Sequence, residues 1–548
     1  MNDRYTIRLV ACSPEQGPLA YPLGALCIQT ALSHDPRISD RITVTLEHFL
    51  ADTDSPLDAA RLIADQTVDL VGISLYLYNR VWFDAFIDHL HHLRPDIRLC
   101  AGGPEATAHA TTLLHRGFLF ITLGEGEQSM CNAVTQLIAG QEPHGHGIQT
   151  IHTEHPTADH VSDLGSLVSP LLSGVAVIDS YEGILWEMTR GCPYHCAFCF
   201  ESRGSRSVRT YPEQRIEKEL DLLIRHEVKH LFILDPTFNM HRDRTVQMLT
   251  MLRDRVPEDM RITFEVRAEL LDETTAQLFS TFHSSLQIGL QSSDATVLSG
   301  IGRPFNAQLF ADRIALLNRF GVVFGLDLII GLPRDTLQSF CKSLDFAIAC
   351  KPSNIDIFVL AVLPGTQLAL DAQSLHLSYL PESPYLLQES PTMSRTDIAE
   401  AIRLKEACDL FYTKGQAAMW FHAACDALQC TPSDFLMRFA EYLHTCEDTE
   451  DEDIYTIQDQ FIREQFSEGE LEHLLPAMLS YMELHQGIVF LQETDESPVV
   501  QLSYPPDDLA TLDTVSIRQF TTVHGVQTTP MAYTIFSDGE TLFVEPLI

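Results

Sequence analysis

The chain begins with five short apolar runs rich in β-branched residues: 5–12 (YTIRLVAC), 42–46 (ITVTL), 68–74 (VDLVGIS), 97–101 (IRLCA) and 118–122 (FLFIT). Amphipathic stretches such as 24–33 and 81–93 separate them. Runs of this length alternating with helical periods predict a parallel, doubly wound α/β sheet covered on both faces. Such sheets bind ligands beyond the carboxyl ends of their strands. Here those ends read YPLGALCIQTAL, DLVGISLYLYN, AGGPEAT and TLGEGE.

The periodicity fades over 140–183, where GQEPHGHG and further Gly, Ser and Pro predict a linker. From Gly183 a second alternation starts, with strands ILWEMT, HLFILD, RITFEVR, LQIGLQS, GLDLIIG and IDIFVLA, each followed by a helical stretch. Six strand–helix repeats predict a partial (β/α)6 barrel of TIM type. After about residue 395 helical periods dominate, and YTIFSDGETLFVEP predicts a terminal β-hairpin turning at Asp538-Gly539. The expected division is a Rossmann-like domain at 1–150, a linker at 151–182, a barrel at 183–395 and a mainly helical cap at 396–548.

Composition narrows the classes that remain. A chain of 548 residues with 45% hydrophobic positions has material for several packed cores. The net charge of −39 excludes a general nucleic-acid binder and disfavours acidic lipid surfaces, because both need clustered Lys and Arg. Charge is uneven: 19 of the 36 basic residues fall between Arg190 and Lys342, whereas 397–548 carries 28 acidic and 6 basic residues. The barrel is therefore the expected home of an anionic ligand, and the acidic run Glu447 to Asp453 reads as a solvated loop. The start MNDRYTIRLVACS has neither a basic n-region nor a long apolar core, and no 18-residue apolar stretch stands out, so a cytoplasmic protein without a membrane partner is expected. Thirteen cysteines in a reducing compartment read as metal ligands and buried thiols.

Three of them are Cys192, Cys196 and Cys199, spaced C-x3-C-x2-C directly after the first barrel strand. Three thiolates on so tight a loop suit three irons of a [4Fe–4S] cluster with the fourth iron open, whereas a zinc knuckle brings a fourth ligand at matching spacing. With Phe198 before the last cysteine, the loop resembles the signature of the radical S-adenosylmethionine (SAM) superfamily. That resemblance, over about 183–365, implies SAM chelating the open iron and reductive cleavage to a 5′-deoxyadenosyl radical. It further implies SAM contacts at Phe198, Asp235, Glu265, Arg267, Gln291, Ser292, Ile330 and Gly331. Asp335 reads equally as a residue beside adenine or as a helix N-terminal charge. Arg203, Arg206 and Arg209 read as anion ligands or as a solvated loop.

The glycine-bearing strand ends, in this order ahead of the cysteine triad, resemble the cobalamin-binding domain of one large radical SAM subgroup. The resemblance implies contacts from Leu23, Gly24, Ser74, Leu75, Tyr76, Gly102, Gly103, Pro104, Glu105, Gly124, Glu125 and Gly126, with the glycines letting backbone approach the nucleotide. The loop after the first strand, CSPEQG, lacks the histidine of D-x-H-x-x-G. Cobalamin, as methylcobalamin, is then expected without a histidine lower ligand, and 75–79 is a candidate loop beneath it. Cys408, Cys425, Cys430 and Cys446 read as buried thiols.

The family implied is the cobalamin-dependent radical SAM enzymes. The expected reaction is methylation of an unactivated carbon of a small-molecule or peptide substrate, with electrons from a flavodoxin or ferredoxin. Cyclisation, rearrangement and aminocarboxypropyl transfer stay open, as does a non-catalytic cobalamin or Fe–S sensor. A methylthiotransferase acting on transfer RNA is disfavoured by the missing second triad and by the charge.

Overall fold

The computed structural model describes residues 4–201, 207–445, 453–527, 529–538 and 541–547. Arg203, Arg206, Cys446, most of the acidic run and Gly539 of the expected turn lie outside them. The chain forms two compact units, the first of Met1–Leu286, Ile301–Arg303 and Ala361–Gln388. The second comprises Gln287–Gly300, Pro304–Leu360 and Glu389–Ile548.

In the first unit, β1 (Tyr5–Ser13), β2 (Ile42–Leu50), β3 (Leu70–Ser74), β4 (Leu99–Gly102), β5 (Phe120–Thr122) and β6 (Ile148–Gln149) form one sheet. Its order is β2-β1-β3-β4-β5-β6. The first five are parallel, with Tyr5 opposite Ile42 and Ile7 opposite Leu70. Because β1 lies between β2 and β3, the chain reverses direction across it, which opens a crevice at the carboxyl ends of β1 and β3.

Alternation along β1 sends Ile7 and Leu9 to one face and Val10 and Cys12 to the other. The first face packs on α1 (Leu23–His34) and α6 (Gly126–Ile138) through Leu32, Met130 and Val134. The second packs on α2 (Pro56–Ala64), α3 (Arg80–Leu93), α4 (Pro104–Ala108) and α5 (Ala110–His115), where Trp82, Phe83 and Phe86 are buried. Both faces are covered, as the continuous apolar runs predict.

Residues 151–182, expected only to connect, also build this unit. The N–H of Asp159 donates to Leu123 O (2.9 Å) and that of Glu125 to Asp159 O (3.0 Å), while β6 runs antiparallel to β5. A two-residue strand and isolated bridges leave no period in a sequence.

The same unit contains β7 (Gly183–Trp186), β8 (Thr189–Arg190), β9 (Arg209–Thr210), β10 (His230–Ile233) and β11 (Arg261–Val266). Strands β7, β10 and β11 are parallel, with His230 opposite both Gly183 and Arg261, and β8 pairs antiparallel with β9. Helices α7 (Glu213–Arg225), α8 (Arg242–Arg255) and α9 (Glu273–Phe279) follow. The segment 361–388 closes onto the first sheet's helices. The hydroxyl of Tyr385 donates to Glu105 Oε2 (2.9 Å) and stands 2.8 Å from His109 Nε2. Arg80 Nη1 donates to the same Glu105 oxygen (3.3 Å), so this buried carboxylate has a phenol and a guanidinium as partners.

Strand β12 (Ser284–Gln291) begins in the first unit and ends in the second, which holds β13 (Val323–Ile330) and β14 (Asn354–Val359), parallel with Gly325 opposite Asn354. Helices then dominate. Phe411 lies 4.7–5.9 Å from the rings of Trp420, Phe421, Phe435, Phe439 and Phe461, forming an aromatic core. The terminal strands Met531–Ser537 and Leu542–Pro546 pair antiparallel as expected, and Val499–Leu502 adds a third that the sequence reading did not anticipate. Cys408 and Cys425 are buried, and Cys430 is half-buried. Among the described residues the helical stretch Glu472–Thr494 is long and apolar enough to cross a membrane, but half of its most apolar window is buried within the fold.

Candidate functional site

A cavity of about 580 Å³ opens in the first unit at the carboxyl ends of β1, β3, β4 and β5. Leu23, Gly24, Ser74, Tyr76, Gly102, Gly103, Pro104, Gly124, Glu125 and Gly126 line it, so ten of the twelve residues expected around cobalamin converge there. Leu75 is fully buried in the core behind them, and Glu105 is taken up by Tyr385 and Arg80. The far wall comes from the second strand series: Leu185, Glu187, Thr189, Arg190 and Gly191, with Leu234 and Pro236 beyond β10.

The cradle glycines also leave room for the protein's own atoms. A Cβ on Gly24 would stand 2.5 Å from the Tyr76 hydroxyl, one on Gly102 2.5 Å from Thr122 Oγ1, and one on Gly103 2.5 Å from Leu75 O. Each missing side chain makes room for the protein itself. Gly103 also has φ of 100°, outside the range that L-residues favour.

Glu187, Glu127 and Glu125 meet Arg190 and Arg209 at the cavity wall. Arg190 Nε and Nη2 both donate to Glu187 Oε2 (3.0 and 2.9 Å), and its Nη1 donates to Glu127 Oε1 (2.8 Å). Arg209 donates to both carboxylate oxygens of Glu125 at 2.6 and 3.0 Å, so it belongs to a part-buried ion pair rather than to a solvated loop. Burial alone would raise the Glu125 carboxyl, but the Arg209 hydrogen bond, the Val161 N–H and Arg190 hold it below its ordinary range. Arg190, Glu187 and Glu127 were not singled out from the sequence. Their only local signals are adjacency to Gly191-Cys192 and the second glutamate of TLGEGE.

Arg190 leads directly into the loop Gly191–Cys199. The Ala197 N–H donates to Ile301 O (3.0 Å) and its carbonyl accepts from Leu368 N (2.8 Å), while Cys199 N donates to Cys196 O (3.0 Å). Phe198 is half-buried in this loop. Burial, and Cys196 beside it, push the Cys192 thiol up. Buried Arg303 hydrogen-bonds the Cys196 side chain, and the Arg267 guanidinium lies 3.8 Å over the Tyr194 ring. Among the described residues no three His, Cys, Asp or Glu side chains surround a single point as for one metal ion. A cubane cluster spreads three thiolates over three separate irons, and three soft donors on one anchored loop fit that group.

Asp235, expected near SAM, is 2% exposed beyond β10, and its Oδ1 accepts from the backbone N–H groups of Met188 and Thr189 (both 2.8 Å). Strand β7 ends at Trp186, and residues 188–189 meet Asp235 beyond it. Glu265 is exposed on β11, and Arg267 is buried with its backbone N–H donating to Asn239 Oδ1 (3.0 Å). Gln291, Ser292, Ile330 and Gly331 belong to the second unit. There Gln291 adopts a left-handed φ of 68°, and Ser292 Oγ lies 3.2 Å from Ser343 Oγ. Asp335, also buried, accepts from the N–H of the helix cap Thr336 (3.0 Å), as its helix-terminus reading anticipates.

Burial raises the Asp235 carboxyl to about 6 from 3.8, against its two backbone hydrogen bonds. A carboxyl raised in the folded state stabilises the fold fully below pH 3.8 and loses that contribution as pH rises through 6. Asp235→Asn keeps the Oδ1 acceptor and removes the ionisation. The expected result is a variant whose melting temperature varies less between pH 4 and 7 than the parent's, by a difference worth at most about 3 kcal/mol. Parallel thermal scans at the two pH values decide it, and identical pH slopes would refute it.

Residues 17–134 match the B12 binding domain model and residues 186–347 match the radical SAM superfamily model. The chain carries a B12-binding domain and a radical SAM domain. The match to the radical SAM superfamily implies a [4Fe–4S] cluster and SAM, and the B12-binding match implies cobalamin. The cobalamin-dependent radical SAM methyltransferase TokK of Streptomyces tokunonensis is 26% identical over 63% of this chain and 54% of its own length. The chain spans about half the length of the curated relatives it matches first. Among solved structures, the cobalamin-dependent SAM radical enzyme OxsB with aqua-cobalamin bound shares the fold at a TM-score of 0.61, with 14% identity over 95% of this chain and 84% of that one. The radical SAM methyltransferase TsrM from Kitasatospora setae, with cobalamin and a [4Fe–4S] cluster bound, shares it at 0.56, with 17% identity over 69% and 76%.

Proposed function

We propose that this chain is a cobalamin-dependent radical SAM methyltransferase acting on an unactivated carbon of a small-molecule or peptide substrate. The observation that carries the reading is a single cavity walled by both the B12-domain strand ends and the approach to the cysteine loop. Ser74, Gly102, Gly103, Pro104 and the Gly124–Gly126 turn would hold cobalamin, with Gly24 and Tyr76 opposite. Cys192, Cys196 and Cys199 would hold three irons of the cluster. Within the first unit, Phe198, Glu265 and Arg267 are the candidates for SAM. When bound, these groups supply a carbon-centred oxidant and a transferable methyl, chemistry that no side chain offers.

The chain's own part is alignment and exclusion. Leu185, Leu234 and Pro236 present apolar surface to the cavity, which keeps water from a reactive centre. The ion pairs of Arg190 and Arg209 neutralise the carboxylates of Glu125, Glu127 and Glu187 on this wall. A cytoplasmic protein served by a flavodoxin or ferredoxin fits the same reading.

Anaerobic reconstitution with iron, sulfide and hydroxocobalamin, followed by SAM and dithionite, tests it. Formation of both 5′-deoxyadenosine and S-adenosylhomocysteine is expected. Deoxyadenosine alone would replace methylation by cyclisation or rearrangement, and neither product from the loaded protein would favour a sensor.

A further inference from the structure

The guanidinium of Arg190 joins two places that the functional reading assigns to different cofactors. On one side is Glu127, in the first turn of α6, one residue after the Gly124–Gly126 turn of the cobalamin cradle. On the other is the start of the cysteine loop, since Gly191 and Cys192 follow Arg190 directly. Glu187 fixes the plane of the group by accepting from both Nε and Nη2, which leaves Nη1 to hydrogen-bond Glu127, with Glu125 Oε2 farther off at 3.7 Å. Tyr211 donates its hydroxyl to the same Glu187 oxygen (3.3 Å), closing the far side. Glu127 is 5% exposed, and the Arg190 side chain retains 13% of its surface, so solvent screening is weak at this junction.

Such a bridge is stiff. A planar fork engaged on two sides cannot follow one carboxylate without leaving the other. A shift of the Gly124–Glu127 turn on loading the cradle therefore moves Arg190, and with it the first residues of the cysteine loop.

We propose that Glu127–Arg190 is a coupling element through which occupancy of the cobalamin cradle and assembly of the iron–sulfur cluster favour one another. Arg190 is a positioning residue in this scheme. The inference rests on the functional reading only in requiring that both groups bind. Linkage makes the effect reciprocal, so it can be read from either side.

The experiment is a hydroxocobalamin titration, followed by absorbance, of the full chain before and after anaerobic reconstitution with iron and sulfide. The parent should bind cobalamin about tenfold more tightly with its cluster in place, within the usual range of such couplings. Arg190→Lys supplies a point charge that cannot engage both carboxylates, and Glu127→Leu removes the acceptor. In each, the affinity ratio should fall to near one while iron content and cobalamin stoichiometry persist. A merely structural role would weaken both titrations equally and leave the ratio unchanged, which overturns the proposal, as does a ratio of one in the parent. If circular dichroism finds either variant unfolded, the other decides. Failure of the parent to bind cobalamin or cluster at all overturns the functional reading itself, which separates the two failures.

Discussion

Cys196→Ala is expected to abolish 5′-deoxyadenosine formation while cobalamin still binds, at the weaker affinity of the cluster-free protein. The substitution removes one sulfur and little else, because the local backbone has its own anchors. Cys199 N still reaches the carbonyl of residue 196, and Ala197 remains held by Ile301 and Leu368. The side chain does not line the cobalamin cavity. Losing an outer partner of a metal site typically costs about 10–100-fold, and losing a ligand should exceed that, so product should fall at least about a hundredfold. Reconstituted variant and parent are compared by iron content, by electron paramagnetic resonance of the reduced cluster and by chromatography of the adenosine product. Undiminished product from the variant would remove the cysteine triad from the chemistry.

Gly103→Ala should be among the most damaging single methyls in the cobalamin cradle. The new Cβ would stand 2.5 Å from Leu75 O, a backbone atom that moves only with the loop 75–79, and the residue keeps a φ of 100°. Strain and displacement together should cost about 3 kcal/mol. A loss of that size lowers the melting temperature by roughly 6 °C or more and weakens cobalamin binding with it. Gly140→Ala is the matched control: φ there is 73°, but nothing lies within 4 Å of the new atom. Only the backbone strain of about 1–2 kcal/mol then applies. Equal losses at the two positions would show that the contact with Leu75 carries no weight.

What the sequence made legible follows physical range. Strands β1 to β5 announced themselves because burial on both faces writes continuous apolar runs. The cysteine loop did so because its three thiols lie within eight residues. Features made by distant partners were silent. Glu125 and Glu127 look like members of a glycine-rich turn until Arg209 and Arg190, 84 and 63 residues away, are seen against them. Asp235 reads as a strand-end carboxylate free for a ligand, yet its Oδ1 is taken by the N–H groups of residues 188 and 189. The cradle glycines were legible as glycines, but only the fold reveals that Tyr76, Thr122 and Leu75 occupy the spaces where side chains would stand.

The clasp between Tyr385 and Glu105 has a consequence for how the protein is made. Its two residues are 280 positions apart. A ribosome adding about 5–20 residues per second needs roughly 14–56 s to travel from one to the other. Through that interval the first sheet and its helices can assemble, and Arg80 can pair with Glu105, but the phenol that completes the carboxylate's surroundings has not yet been synthesised. The cobalamin-binding half of the first unit thus emerges early and is sealed late, by a segment translated after the barrel strands.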